Sequence, residues 1–174
     1  MFTPIRIKAI YVAALFACCS HTLSAAQSTP EDTKTLRVFI FAGQSNMVGS
    51  DSNANEIDDF ASFMGTGEEQ TKIRYSYAIG RERMHRSNGW STLQPVNNVV
   101  GPELSFGKVV SEQIKAPIAI IKCASGGTTL GGDWNPDDPS GFKLYPLALE
   151  LIQEALQSLE SKKIKYRIEG FFWH

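Results

Sequence analysis

Two short apolar runs constrain the fold more than anything else in the chain. Leu36 to Ala42 is rich in Val, Ile and Phe and stops at Gly43, and Ile118 to Ala124 follows Pro117 and stops before a Gly-rich turn. Runs of this length closed by turn formers read as strands buried on both faces. Between and after them the periodicity changes. Ile73 to Ile79 alternates enough for a further short strand. Gly101-Pro102-Glu103 opens a helical pattern in which Leu104, Val109, Val110 and Ile114 lie near one face, and Pro102 suits the first helical turn. Leu144, Leu147, Leu151, Ile152, Ala155 and Leu159 recur at three- and four-residue steps, an amphipathic helix closed by Ser161-Lys162-Lys163 with positive charge at its C-terminal dipole. Tyr166 to Trp173 is a last apolar run. Strands alternating with helices imply an α/β fold, a parallel sheet with helices on its faces. In such folds ligands gather at the carboxyl ends of the strands. Residues 50–72 read as loop, and residues 125–142 form a long Gly-, Asp- and Pro-rich loop of the kind that is functional or mobile.

The first residues read as an address. Arg6 and Lys8 precede an apolar run from Ala9 to Cys19, and Ser20 to Ala26 is small and polar, the order of a secretory signal peptide with cleavage after Ala26. The run is about half the roughly 20 residues that span a bilayer, so no permanent membrane span is expected. Leu15-Phe16-Ala17-Cys18 also resembles a lipoprotein signal, which leaves lipid anchoring open beside cleavage. Residues 27–35 lack periodicity and read as a polar linker. The expected setting is periplasmic or extracellular.

Charge and cysteine use narrow the classes further. With 17 Lys+Arg against 18 Asp+Glu there is no basic excess for nucleic acid. Cleavage after Ala26 removes Cys18 and Cys19, so Cys123 has no disulfide partner and reads as a small buried hydrophobe. One Cys with His85 and His174 cannot build a structural zinc site, and no metal or other cofactor is expected. The adjacent acidic pairs Asp58-Asp59, Glu68-Glu69 and Asp137-Asp138 sit in loops, unlike the facing carboxylates of a glycosidase. The sequence carries no signal for an oligomeric state.

The unusual residues follow the inferred strands. Ser45 stands in Gly43-Gln44-Ser45-Asn46-Met47, where a strand hands over to a helix: either a helix N-cap or an exposed nucleophile with N–H groups around it to hold an oxyanion. Met47 stands where a G-x-S-x-G elbow needs Gly. Gly101 either sets a turn or brings its backbone close to a substrate. Gly126-Gly127-Thr128 is either loop punctuation or a pocket wall, and Gly132-Asp133 after Gly131 rules out a phosphate loop. Trp134 either stacks on a sugar or covers the core. His85, within Arg81 to Arg86, reads as part of a solvated charged face.

Taken in order, Gly43-Gln44-Ser45-Asn46-Met47, Gly101-Pro102-Glu103-Leu104, Ala124-Ser125-Gly126-Gly127-Thr128 and Phe171-Phe172-Trp173-His174 resemble the SGNH hydrolase superfamily. The resemblance is to its sialate O-acetylesterase-like and acetylxylan-esterase-like carbohydrate esterases, from about Leu36 to His174. It implies a three-layer α/β/α, flavodoxin-like fold, with residues 36–174 as the N-terminal part of the esterase domain and the last strand and helix outside it. It also implies a serine esterase acting on an acetylated carbohydrate. Ser45 matches the nucleophile, Ser45 and Gly101 supply oxyanion N–H groups, and Gln44, Asn46, Gly127, Thr128 and Trp134 are expected at the substrate. The family carries its general base in an Asp-x-x-His block after the Trp-His pair, so the base is expected beyond residue 174 and His174 is not expected to serve. The rival reading is a carbohydrate-binding protein, or a truncated inactive product, without the acid-base pair.

Overall fold

A computed structural model describes residues 32–81, 84–138, 140 and 142–174. The signal-peptide reading of residues 1–26, with Cys18 and Cys19, lies outside the described residues, as does most of the linker. Of that linker, Asp32, Thr33 and Lys34 form a turn.

The chain runs β1 (Leu36–Gly43), α1 (Ser45–Val48), two single 3-10 turns, β2 (Gln70–Ile79), β3 (His85–Arg86), β4 (Ser91–Leu93), α2 (Pro102–Gln113), β5 (Ile118–Ala124), α3 (Leu144–Ser161) and β6 (Tyr166–Trp173). The sheet order is β3-β2-β5-β1-β6, with β4 also on β2. β2, β5, β1 and β6 run parallel. The parallel sheet expected from the sequence is present in these four strands, and β3 and β4 add short antiparallel pairings along the outer edge of β2, making the sheet mixed. Two- and three-residue strands are too short for periodicity to show. They cover backbone groups that β2 would otherwise present as an open edge.

Alternation along each strand explains why the central runs are apolar throughout. Val38, Ile40 and Ala42 of β1 with Ala119, Ile121 and Cys123 of β5 face Leu144, Ala148, Leu151, Ala155 and Leu159 of α3. Phe39 and Phe41 with Ile118 and Ile120 face the other way, onto Met47 and Val48 of α1 and Leu104 of α2. Three layers result, α/β/α, and α3 keeps the face its periodicity predicts.

The face of α2 differs from expectation. Leu104 is buried, but Val109 and Ile114 are exposed, and the buried stripe is Glu103, Leu104 and Gly107. Gly107 sets the approach: a Cβ there would lie 2.4 Å from Leu93 Cδ2. The helix therefore turns a carboxylate inward and leaves two valine- and isoleucine-sized groups outside.

Register brings the strand ends level. Gly43 pairs with Ala124, Ile79 with Ala124, and Ala42 with Trp173. The ladder continues one step beyond, with Gly80 N–H donating to Ala124 O (2.9 Å), Ser125 N–H to Gly43 O (3.2 Å) and Gln44 N–H to His174 O (2.9 Å). The loops that follow β1, β2 and β5 thus start from one shared baseline.

Candidate active site

Gly43 makes the turn into α1. Its φ is +153°, and a Cβ would lie 2.0 Å from the His174 carbonyl oxygen, so no other residue fits between β1 and β6 here. The next residues open α1. Ser45 heads the helix as its first residue, with Gln44 in the N-cap place and no side-chain cap. The Ser45 hydroxyl donates to Gln44 Oε1 at 2.8 Å. Neither the Ser45 N–H nor the Gly101 N–H has an acceptor among the described residues. Asn46 is exposed beside them.

Gly49 (φ +88°) ends α1 and lets the segment before α2 close onto it; a Cβ would lie 2.4 Å from Val100 O and 2.9 Å from Gly101 N. Ser52 pins the junction, its hydroxyl donating to Gly49 O (2.6 Å) and accepting from Val100 N–H (2.7 Å). Gly101 is itself buried and sits against α1, since a Cβ there would lie 3.0 Å from Met47 O.

Directly under Gly101 is a group the sequence reading passed over. Lys122 interrupts the apolar pattern of β5, is wholly buried, and donates to Glu103 Oε2 (2.6 Å) and to Val48 O (3.3 Å). Tyr75 of β2 donates to the other Glu103 oxygen (3.2 Å). A Cβ on Gly101 would lie 2.2 Å from Lys122 Nζ and 2.3 Å from Glu103 Oε2. Burial pulls the Lys122 ammonium below the usual lysine range, while the Glu103 carboxylate holds it up. Burial, with Glu103 adding to it, pushes the Tyr75 phenol well above its usual value. The network ties β2, β5, α1 and α2 together beneath the Ser45 and Gly101 loops. The signal for it was legible: one charged residue inside a strand otherwise buried on both faces demands a partner.

On the β5 side, Gly126 faces the serine. A Gly126 Cβ would stand 3.6 Å from Ser45 Cβ and 3.7 Å from Ser50 Oγ. Gly127 (φ +69°) meets open space. Thr128 and Trp134 fix the loop to itself: the Thr128 hydroxyl donates to Ser125 O (2.8 Å) and accepts from the Trp134 indole N–H (3.2 Å). Trp134 is 8 % exposed and packs edge-on to Trp173 with centroids 4.7 Å apart, which places it with the core. His174 bonds through its backbone to Ala42 and Gln44, and His85 is exposed on β3. No imidazole among the described residues hydrogen-bonds Ser45. Cys123 is buried and its thiol is pushed up to about 12, which leaves it unreactive at neutral pH. Among the described residues no three His, Cys, Asp or Glu side chains are grouped to hold a metal, and no helix is long and apolar enough to cross a membrane.

A serine on a glycine-framed strand-to-helix turn, with a second free N–H brought up by the segment before α2, can attack an acyl carbon and hold the resulting oxyanion. Residues 35–174 match the model of a family described as carbohydrate esterase, sialic acid-specific acetylesterase. The chain belongs to that family. The fold is similar to that of a solved structure of a protein from Arabidopsis thaliana, 19% identical, with a TM-score of 0.50 over 79% of this chain. The match spans 56% of that protein's length. A carbohydrate acetylesterase from Xanthomonas citri is matched at 14% identity and a TM-score of 0.40, over 78% of this chain and 31% of the other. No curated protein matches the chain. The esterase family assignment and the mostly parallel α/β sheet agree with the SGNH-type resemblance read from the motifs.

Proposed function

We propose that the protein removes O-acetyl groups from a carbohydrate, of the sialic acid or xylan type, through an acyl-enzyme on Ser45. The observation that carries this reading is Ser45 on the Gly43 turn, with N–H groups at Ser45 and Gly101 that have no acceptor among the described residues. Ser45 Oγ attacks the ester carbonyl carbon as a base takes its proton. The oxyanion rests on the two N–H groups, and the sugar hydroxyl leaves with a proton. Water then attacks the acetyl-serine, releasing acetate and restoring the hydroxyl. A serine bonded to an amide oxygen is not activated, so the reading requires an imidazole. In this reading it comes from the family's Asp-x-x-His block after residue 174. No metal or other cofactor takes part. Export to the periplasm or outside the cell, by signal cleavage or lipid anchoring, belongs to the same proposal and rests on residues 1–26.

The test is hydrolysis of p-nitrophenyl acetate, O-acetylated sialic acid and acetylated xylan by the complete natural gene product. Ser45→Ala is expected to lose at least about 10³-fold in kcat; equal rates in both proteins would sink the assignment. A second reading, carbohydrate binding without hydrolysis, is favoured by one observation, the Ser45 hydroxyl held by Gln44 with no imidazole on it among the described residues. Sugar binding with no Ser45-dependent turnover would establish that alternative.

A further inference from the structure

A charge inside the sheet asks for a reason that stability does not supply. Lys122 is 0% exposed in the middle of β5, and its ammonium donates to Glu103 Oε2 at 2.6 Å. The attraction within a buried ion pair is largely offset by desolvation, and an apolar pair of similar volume often holds a fold as well or better. The contacts of this pair lead to the two segments that carry the candidate oxyanion N–H groups.

α1 cannot hold itself. It is a single turn of four residues, closed by Val48 N–H on Gln44 O (3.0 Å) and Gly49 N–H on Ser45 O (2.9 Å), and so short a helix does not persist alone in water. Its last carbonyl, Val48 O, accepts from the Lys122 ammonium at 3.3 Å. The same ammonium grips the start of α2. Glu103 lies in the first turn of that helix, two residues after Gly101, and its carboxylate takes Lys122 on one oxygen and the Tyr75 hydroxyl on the other (3.2 Å). Gly101 lies over the joint, where a Cβ would come within 2.2 Å of Lys122 Nζ. One nitrogen thus bonds both the turn that Ser45 heads and the turn that Gly101 precedes, and ties them to a central strand.

We infer that Lys122 and Glu103 are positioning residues for the proposed reaction, holding the Ser45 and Gly101 N–H groups at the separation at which both meet one oxyanion. The inference rests on the esterase reading and adds to it the part of two side chains that never touch substrate. Its physical basis is tolerance. Catalytic groups misplaced by about 1 Å lose about 100-fold in rate, and donors on a one-turn helix and an irregular segment keep within such limits only when something rigid ties them. Ser52 ties the junction from the loop side, through Gly49 O and Val100 N–H, and Lys122 ties it from the sheet.

The test is hydrolysis of p-nitrophenyl acetate by the complete natural protein, with the folded fraction of each variant measured by near-ultraviolet circular dichroism. The paired change Lys122→Met with Glu103→Leu removes both charges and is expected to keep most of the stability that either single change loses. Its kcat is nevertheless expected to fall about 10–100-fold with KM little changed, because the donors lose their tie while substrate still binds. Leu151→Ala, on the opposite face of the sheet, lowers stability without touching the joint and is expected to keep kcat. A kcat that returns with stability in the paired variant, or that falls equally in Leu151→Ala, overturns the positioning role. If the paired variant does not fold, Glu103→Gln at a temperature where it is folded decides in its place: the same loss of kcat is expected, and an unchanged kcat overturns the inference. Ser45→Ala is measured in parallel. Hydrolysis that does not need Ser45 removes the esterase reading and this inference together, whereas Ser45-dependent hydrolysis at full kcat in the paired variant removes the positioning role alone.

Discussion

At the scale of single residues, the buried Lys122–Glu103 pair joins stability to the geometry of the site. Removing one partner leaves an uncompensated charge: Lys122→Met or Glu103→Gln is expected to cost about 3–5 kcal/mol in urea denaturation. The joint change Lys122→Met with Glu103→Leu is expected to recover most of that loss, because both charges go together. Gly101→Ala forces a methyl onto Lys122 Nζ and Glu103 Oε2. It is expected to lose about 1–3 kcal/mol of stability by overpacking, and activity with it. Gly126 behaves differently. A methyl there meets Ser45 Cβ at an ordinary 3.6 Å, so Gly126→Ala is expected to keep the fold, whereas Gly126→Leu shuts substrate off from Ser45 while the unfolding transition persists.

At the scale of elements, what was readable followed burial. β1, β5 and α3 announced themselves because two-sided burial and a continuous apolar stripe leave long, regular patterns. β3 and β4 left none, because strands of two and three residues are held by their partner β2 rather than by their own side chains. α2 was located correctly but turned wrongly, since hydrophobicity alone points Val109 and Ile114 inward while Glu103 must reach Lys122. The motif glycines and Ser45 were legible as a constellation. The inward turn of Trp134 was not, because a tryptophan in a loop looks the same whether it faces a sugar or the core. The orientation of α2 and α3 is testable together. Leu151→Ala in α3 is expected to cost about 2–5 kcal/mol, while Val109→Ala, at 50% exposure, is expected to stay within about 0.5 kcal/mol.

At the scale of the whole molecule, alkaline pH exposes the price of a thiol in the core. The folded state holds Cys123 protonated up to about 12, against an ordinary value of 9.0. Between those values the folded chain binds more protons than the unfolded one, so stability falls as pH rises, by up to about 1.4 kcal/mol per pH unit. Below pH 9 that contribution is fully present. Denaturant titrations at pH 8 and pH 10.5 are expected to show a smaller loss in Cys123→Ala than in the unsubstituted protein.

The strand order also dictates when the molecule can become a molecule. β5 lies between β2 and β1, yet it is synthesised after both, and the other neighbour of β1, β6, comes later still. Until Ile118–Ala124 is available, neither of the first two long strands has its parallel partner, and the central sheet has no middle. Folding therefore waits on contacts distant in sequence, which are slow to form. A chain ended at residue 116 is expected to show no cooperative transition by circular dichroism. During synthesis, the first two thirds of the polypeptide stay pliable, and the serine turn takes shape only when a strand made some seventy residues later slides in beside it.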